Sequence, residues 1–353
     1  MQAAIRTPIL NITSSGSLSV ISYSLQAAQR RVEGLKKGGQ PTGGRMPSAM
    51  TPQELKTAIR SGMLSFPLTD FDASGEFDPP GCMRRLDWLS SYPSSALFMA
   101  GGTGEFFSLT PDEYCAVIGT AVRACGGRTP IIAGTGYGTR TAIAYAQEAE
   151  RLGADGLLLM PPYLVEASQE GLRAHVTAIC HATKLGVIVY NRANCRLAAT
   201  TTARLAEDCP NLIGFKDGVG DLEQIAATRA AIGDRLIFIN GMPTAETYAS
   251  AFRAAGVPTY SSAVFNFIPR SALAFHEAVN RQDAAAVDGL MRDFFVPYVR
   301  LRARQPGYAV SIVKAGAEIV GRTAGPVRPP LSNLNLAEFN ELEDMIAKLG
   351  PQD

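Results

Sequence analysis

The chain has 353 residues, with 33 Lys+Arg against 32 Asp+Glu, a formal net charge of +1 and 46% apolar residues. This balance leaves no electrostatic footprint for a nucleic acid, and no run of ~18 uncharged apolar residues offers a membrane span. Three histidines and six scattered cysteines, without a C-x-x-C pair, do not predict a metal site. The cysteines suit a reducing compartment, so a cytoplasmic protein is expected.

Residues 1–49 stand apart. Their only acid is Glu33, and Gly38 to Gly44 has the composition of a flexible linker. The acid-poor, Arg-containing segment has the look of a transit peptide, but reads better as a disordered extension or as sequence upstream of a start at Met46 or Met50.

From Met50 the pattern is regular. Thr51-Pro52-Gln53-Glu54 opens a helix, with an N-cap threonine, a proline at the first helical position and an acid in the first turn. Short apolar strands then alternate with helical stretches. The strands read as Met63–Phe66, Ala96–Met99, Pro130–Ala133, Gly156–Met160, Gly186–Tyr190, Leu212–Lys216, Leu236–Ile239 and Pro258–Ser262. Helical stretches include Thr110–Cys125, Thr139–Leu152, Gln169–Thr183, Thr201–Asp208, Leu222–Ile232 and Thr244–Ala254. Strand–helix alternation implies a parallel sheet covered by helices, and eight repeats argue for a closed α/β (β/α)8 TIM barrel over residues 50–282. Asp283–Arg304, Tyr308–Val320 and Leu336–Leu349 read as three further helices, a C-terminal helical appendage over residues 283–353.

In such a barrel the chemistry gathers at the C-terminal ends of the strands. The sixth strand runs through Leu212-Ile213-Gly214-Phe215 straight into Lys216. A lysine ending a buried apolar run loses hydration, its pKa falls, and the neutral amine can form a Schiff base with a carbonyl. Alone, the stretch also fits a lysine that snorkels to water. The second strand ends in Gly101-Gly102-Thr103-Gly104-Glu105. Backbone N–H groups of Gly102, Thr103 and Gly104 can converge on an anion, with the Thr103 hydroxyl and the positive end of the following helix in support. Glu105 reads as a residue that orders this loop. Tyr163, after Pro161-Pro162 on the fourth strand, is a candidate proton relay, or an aromatic plug at the barrel mouth. Tyr190, Asn191 and Arg192 end the fifth strand, and the eighth carries Ser261, Ser262 and, just after it, Asn266. All are candidates for polar groups of a substrate, Arg192 for a second carboxylate.

Together these features resemble the class I aldolase family of dihydrodipicolinate synthase and N-acetylneuraminate lyase, over about residues 50–350. The family's Gly-Thr-Thr-Gly-Glu loop appears as Gly101 to Glu105, with Gly102 in place of the first threonine. Longer stretches are similar to the branch that removes water and carbon dioxide from a six-carbon keto-deoxy sugar diacid. They include Leu64–Phe71, Gly241–Glu246, Tyr260–Phe267 and Gly307–Gly316, the last outside the barrel.

The resemblance implies that Lys216 forms the imine, that Tyr163 handles protons and that the loop at Thr103 binds the carboxylate of a 2-oxo acid. It implies a small-molecule diacid substrate, no cofactor, no metal and a homotetramer. The lost threonine argues against synthase activity. Two other outcomes remain: retro-aldol cleavage or synthesis from the same imine, and a non-catalytic barrel that senses 2-oxo acids.

Overall fold

The computed structural model describes residues 50–163 and 166–352. The expected disordered extension, residues 1–49, lies outside them. Eight strands form the barrel: β1 (Met63–Ser65), β2 (Ala96–Met99), β3 (Ile131–Thr135), β4 (Gly156–Leu159), β5 (Gly186–Asn191), β6 (Leu212–Asp217), β7 (Ile237–Asn240) and β8 (Thr259–Ser262). Each pairs in parallel with the next, and β8 closes on β1. The bounds fall within two residues of the sequence reading.

The helices are α1 (Pro52–Ala58), α2 (Pro79–Leu89), α3 (Pro111–Cys125), α4 (Thr139–Leu152), α5 (Gln169–His181), α6 (Ala199–Asp208), α7 (Leu222–Ile232), α8 (Ala249–Ala254) and α9 (Pro269–Arg281). Local chemistry sets several starts. Thr51 with Glu54, and Thr110 with Glu113, form reciprocal capping boxes that satisfy N–H groups the helix cannot. Helix α2, which is not among the stretches read from sequence, opens on Pro79 and Pro80, where the missing N–H costs nothing.

Side chains alternate across the sheet. Leu64, Phe98, Ile132, Leu158, Ile188 and Ile239 fill the barrel, while Leu97, Leu157, Val187 and Phe215 face the helix ring. Helix α1 plugs the floor: Leu55 and Ile59 are fully buried with the barrel-filling residues. Each such side chain contributes about 1.5–3 kcal/mol of apolar burial. The open end is therefore the other one, where the strands finish.

Two helical expectations are corrected. Thr244–Ala254 is not one helix: Thr244 sits at φ +49°, Ala245–Tyr248 is a 3₁₀ turn, and only Ala249–Ala254 is α-helical. Asp283–Arg304 divides into α10 (Ala284–Leu290), a π-helical turn (Met291–Phe295) and α11 (Val296–Arg302). Pro297 lacks the N–H that would continue the α ladder, and the π turn lies just before it. The appendage continues with α12 (Tyr308–Ile319) and α13 (Leu336–Ala347). Phe294, Tyr298 and Leu342 of the appendage join Phe267 and Phe275 of the barrel's last segment in one core.

Candidate active site

Lys216 owes its direction to a β-bulge. Leu212 pairs with Val187 and Gly214 with Ile188, so Ile213 is an extra residue in β6. That residue shifts the phase of the strand. Leu212 and Phe215 both pack outwards, while Ile213 and Lys216 both turn into the barrel. Gly241, just past β7, makes room: a Cβ there would lie 2.7 Å from Lys216 Cγ.

Lys216 is 4% exposed. Its Nζ lies 4.0 Å from the ring centroid of Tyr190 and 4.2 Å from that of Phe66. These rings favour the ammonium by about 0.5–2 kcal/mol. Burial outweighs them. It holds the pKa well below the ordinary 10.5, and the charge of Arg192 pushes the same way. Nζ has no hydrogen-bond or ion-pair partner among the described residues. The arrangement favours a neutral amine in a dry, aromatic slot, which is a nucleophile toward a ketone.

Tyr190 is held in place at both ends of its hydroxyl. The phenol donates to the Gly241 carbonyl at 2.7 Å and accepts from Arg192 Nη1 at 2.9 Å. Burial raises its pKa, partly offset by Arg192.

The loop after β2 is fixed from below. Ala100 and Glu105 bracket it with φ +49° and +53°. Glu105 N donates to Gly102 O and Phe106 N to Gly101 O, while Thr69 Oγ1 donates to Gly104 O at 2.7 Å. No described hydrogen bond uses the N–H of Gly102, Thr103 or Gly104. The fully buried Glu105 carboxylate lies 3.1 Å from Lys314 Nζ and accepts from Arg328 N at 3.0 Å. It therefore orders the loop, as expected. The expected helix dipole is absent, because the loop runs into a three-residue 3₁₀ turn, Phe106–Ser108.

A cavity of about 400 Å³ collects Gly102, Thr103, Arg192, Lys216 and Ser261. Other predicted residues point elsewhere. Asn191 donates to Asp217 Oδ1 and accepts from Leu197 N. Asn266 ties Leu68 N to the Phe66 and Ala263 carbonyls. Ser262 Oγ accepts from Phe265 N. Strand alternation explains two of these: Tyr190 and Ser261 face inwards, so Asn191 and Ser262 face out. Gly104 is buried beneath the loop and does not line the cavity. Tyr163 is 67% exposed, with its ring edge-on to Tyr137 at 6.4 Å, and is not part of the lining either. The phenol packed on Lys216 is that of Tyr190.

Sequence reasoning missed the contribution of the appendage. Tyr298, Arg302, Ala309 and Val310 line the same cavity. It also missed Glu246, which is 1% exposed and pushed up to about 7 by burial, with the charge of Arg302 among the opposing influences. Only the likeness of Gly241–Glu246 and Gly307–Gly316 to one branch of the family marked these stretches.

The dihydrodipicolinate synthetase family pattern matches residues 60–349. The chain is 60% identical over 303 residues to a Polaromonas naphthalenivorans (strain CJ2) protein named "Probable 5-dehydro-4-deoxyglucarate dehydratase", covering 86% of this chain and 100% of that one. A protein of the same name from Ectopseudomonas mendocina (strain ymp) is 59% identical over 303 residues, with the same coverage. Among solved structures, dihydrodipicolinate synthase from Oceanobacillus iheyensis aligns with a TM-score of 0.76 at 26% identity, over 84% of this chain and 98% of that one. No helix among the described residues is long and apolar enough to cross a membrane. With this barrel, this lysine and these matches, the chain belongs to the dihydrodipicolinate synthetase family.

Proposed function

We propose that this chain is a Schiff-base-forming hydro-lyase that converts 5-dehydro-4-deoxy-D-glucarate to 2,5-dioxopentanoate, carbon dioxide and water. The observation that carries the reading is Lys216 Nζ, buried between the rings of Phe66 and Tyr190. Curated relatives that share about three residues in five with the chain, over their full length, support the choice of substrate.

The loop at Gly102 and Thr103 holds the carboxylate beside the ketone. Neutral Lys216 adds to that ketone, and loss of water gives an iminium. The iminium acidifies the adjacent methylene. A proton leaves this carbon, and the enamine expels the neighbouring hydroxyl as water. The unsaturated iminium is then an electron sink. The bond to the far carboxylate breaks, carbon dioxide departs, and the electron pair flows through the conjugated chain to the nitrogen. Protonation, enol-to-aldehyde tautomerisation and hydrolysis release the product and regenerate the amine.

We assign the proton handling beside Lys216 to the Tyr190 phenol, oriented by Arg192. Tyr163, exposed in this structure, is kept as a second candidate for proton transfer. Ser261 supplies a hydroxyl to the substrate's hydroxyl-bearing carbons. Asn191, Ser262 and Asn266 act by holding the strand ends that carry these groups.

We also propose a cytoplasmic homotetramer. The free cysteines suit a reducing compartment, and the family resemblance supports the tetramer; sedimentation velocity is the check.

The purified chain with 5-dehydro-4-deoxyglucarate should release carbon dioxide and no pyruvate. Pyruvate without carbon dioxide would instead identify a retro-aldol lyase.

A further inference from the structure

The diacid of the proposed reaction has a second carboxylate, and the cavity offers two guanidinium groups for it, Arg192 and Arg302. They differ in what else they do. Arg192 donates to the Tyr190 hydroxyl and is near enough to Lys216 for its charge to bear on that amine. No such influence of Arg302 on Lys216 is seen. Arg302 ends helix α11, so the appendage, not the barrel, delivers it. Its Nη1 donates to the hydroxyl of Thr244, which also lines the cavity. It makes no ion pair with a carboxylate among the described residues. Glu246 feels its charge, but is buried and held toward neutrality.

The same cavity is lined by the apolar side chains of Met242, Pro243, Ala309 and Val310. A guanidinium that makes no ion pair in such a wall marks where an anion is to arrive. From the ketone carbon to the far carboxylate is four bonds, about 5 Å extended, so the far anion lies along the cavity wall away from Lys216.

We propose that Arg302, steadied by Thr244, is the anchor for the distal carboxylate and makes the cavity selective for 2-oxo diacids. This rests on the diacid reading above. Because this carboxylate leaves as carbon dioxide, an arginine that grips it stabilises the bound substrate more than the decarboxylation transition state. Arg302 should therefore act on KM more than on kcat.

The test is borohydride trapping of the imine with two probes of equal chain length, 2-oxoadipate (a diacid) and 2-oxohexanoate (a monoacid). Neither can lose water, so trapping reports binding and imine formation alone. The wild-type chain should half-saturate with 2-oxoadipate at a concentration at least ~10-fold lower than with 2-oxohexanoate. In Arg302→Met this ratio should fall to near one, and in Arg302→Lys to an intermediate value. The ratio is taken within each variant, so a uniform loss of active protein does not move it. Should Arg302→Met not fold, Thr244→Val, which removes only the acceptor that steadies Arg302, should lower the ratio. An undiminished ratio in Arg302→Met, or one lost in Arg192→Met alone, would overturn the assignment. Failure of the wild type to trap either probe would instead strike at the Schiff-base reading itself.

Discussion

Lys216 burdens the fold that holds it. Its folded pKa lies below the unfolded value, so the unfolded chain binds more protons between the two. Stability therefore rises with pH across that window, and is reduced by the burial of the ammonium as pH falls through the folded pKa. Lys216→Met removes the penalty while filling the same slot. It should raise stability by on the order of 1–3 kcal/mol near neutral pH, with the gain shrinking as pH approaches about 10. Thermal unfolding of both proteins across pH reads this; a variant less stable at every pH would contradict the buried, neutral amine. At this scale the sequence was informative about Lys216 only in company: alone the stretch also fits a lysine that snorkels to water, and the loop after the second strand on the same rim tips it to the imine. It was uninformative about facing. Whether Ser261 or Ser262 points inwards depends on strand phase, and in β6 that phase is reset by Ile213, a bulge no local pattern announces.

At the scale of elements, the loop after β2 is tied to α12. Lys314 is 3% exposed, and burial lowers it to about 8 although Glu105 opposes the shift. Near neutrality it is therefore charged and paired, and it also donates to the Ala324 and Pro326 carbonyls. Lys314→Met would strand the fully buried Glu105 carboxylate without its cation, at a cost of about 3–5 kcal/mol. Glu105→Gln in the same chain should recover most of that loss. Urea unfolding of the two single variants and the double variant gives the coupling; simply additive losses would mean that the pair does not act as one unit. Strands and caps were legible because alternation and Thr-x-x-Glu signals are local. The break in Asp283–Arg304 was not, because a proline permits either a first turn or a kink, and only packing chooses. The absence of a helix dipole beside Gly102 was equally hidden, since Phe106–Ser108 carries no mark of being so short.

At the largest scale, the described residues form a barrel whose cavity is completed by helices from outside it. Eight strands bring Lys216, Thr103, Tyr190, Arg192 and Ser261 to one rim, as repeats of strand and helix foretold. Arg302 and Tyr298 arrive from a segment beyond the last barrel helix, by contacts spanning much of the chain. Long-range arrival of this kind leaves no local trace in sequence, which is why the appendage read as a packing element alone. The shared core of Phe267, Phe275, Phe294, Tyr298 and Leu342 makes it part of the active-site architecture. Everything proposed for the reaction passes through one covalent bond. The most direct test is therefore to reduce the protein with borohydride during turnover of 5-dehydro-4-deoxyglucarate and map the adduct by peptide mass spectrometry. The account predicts a single substrate-derived adduct on Lys216, absent from Lys216→Ala; turnover with no adduct, or with an adduct on another lysine, would contradict it.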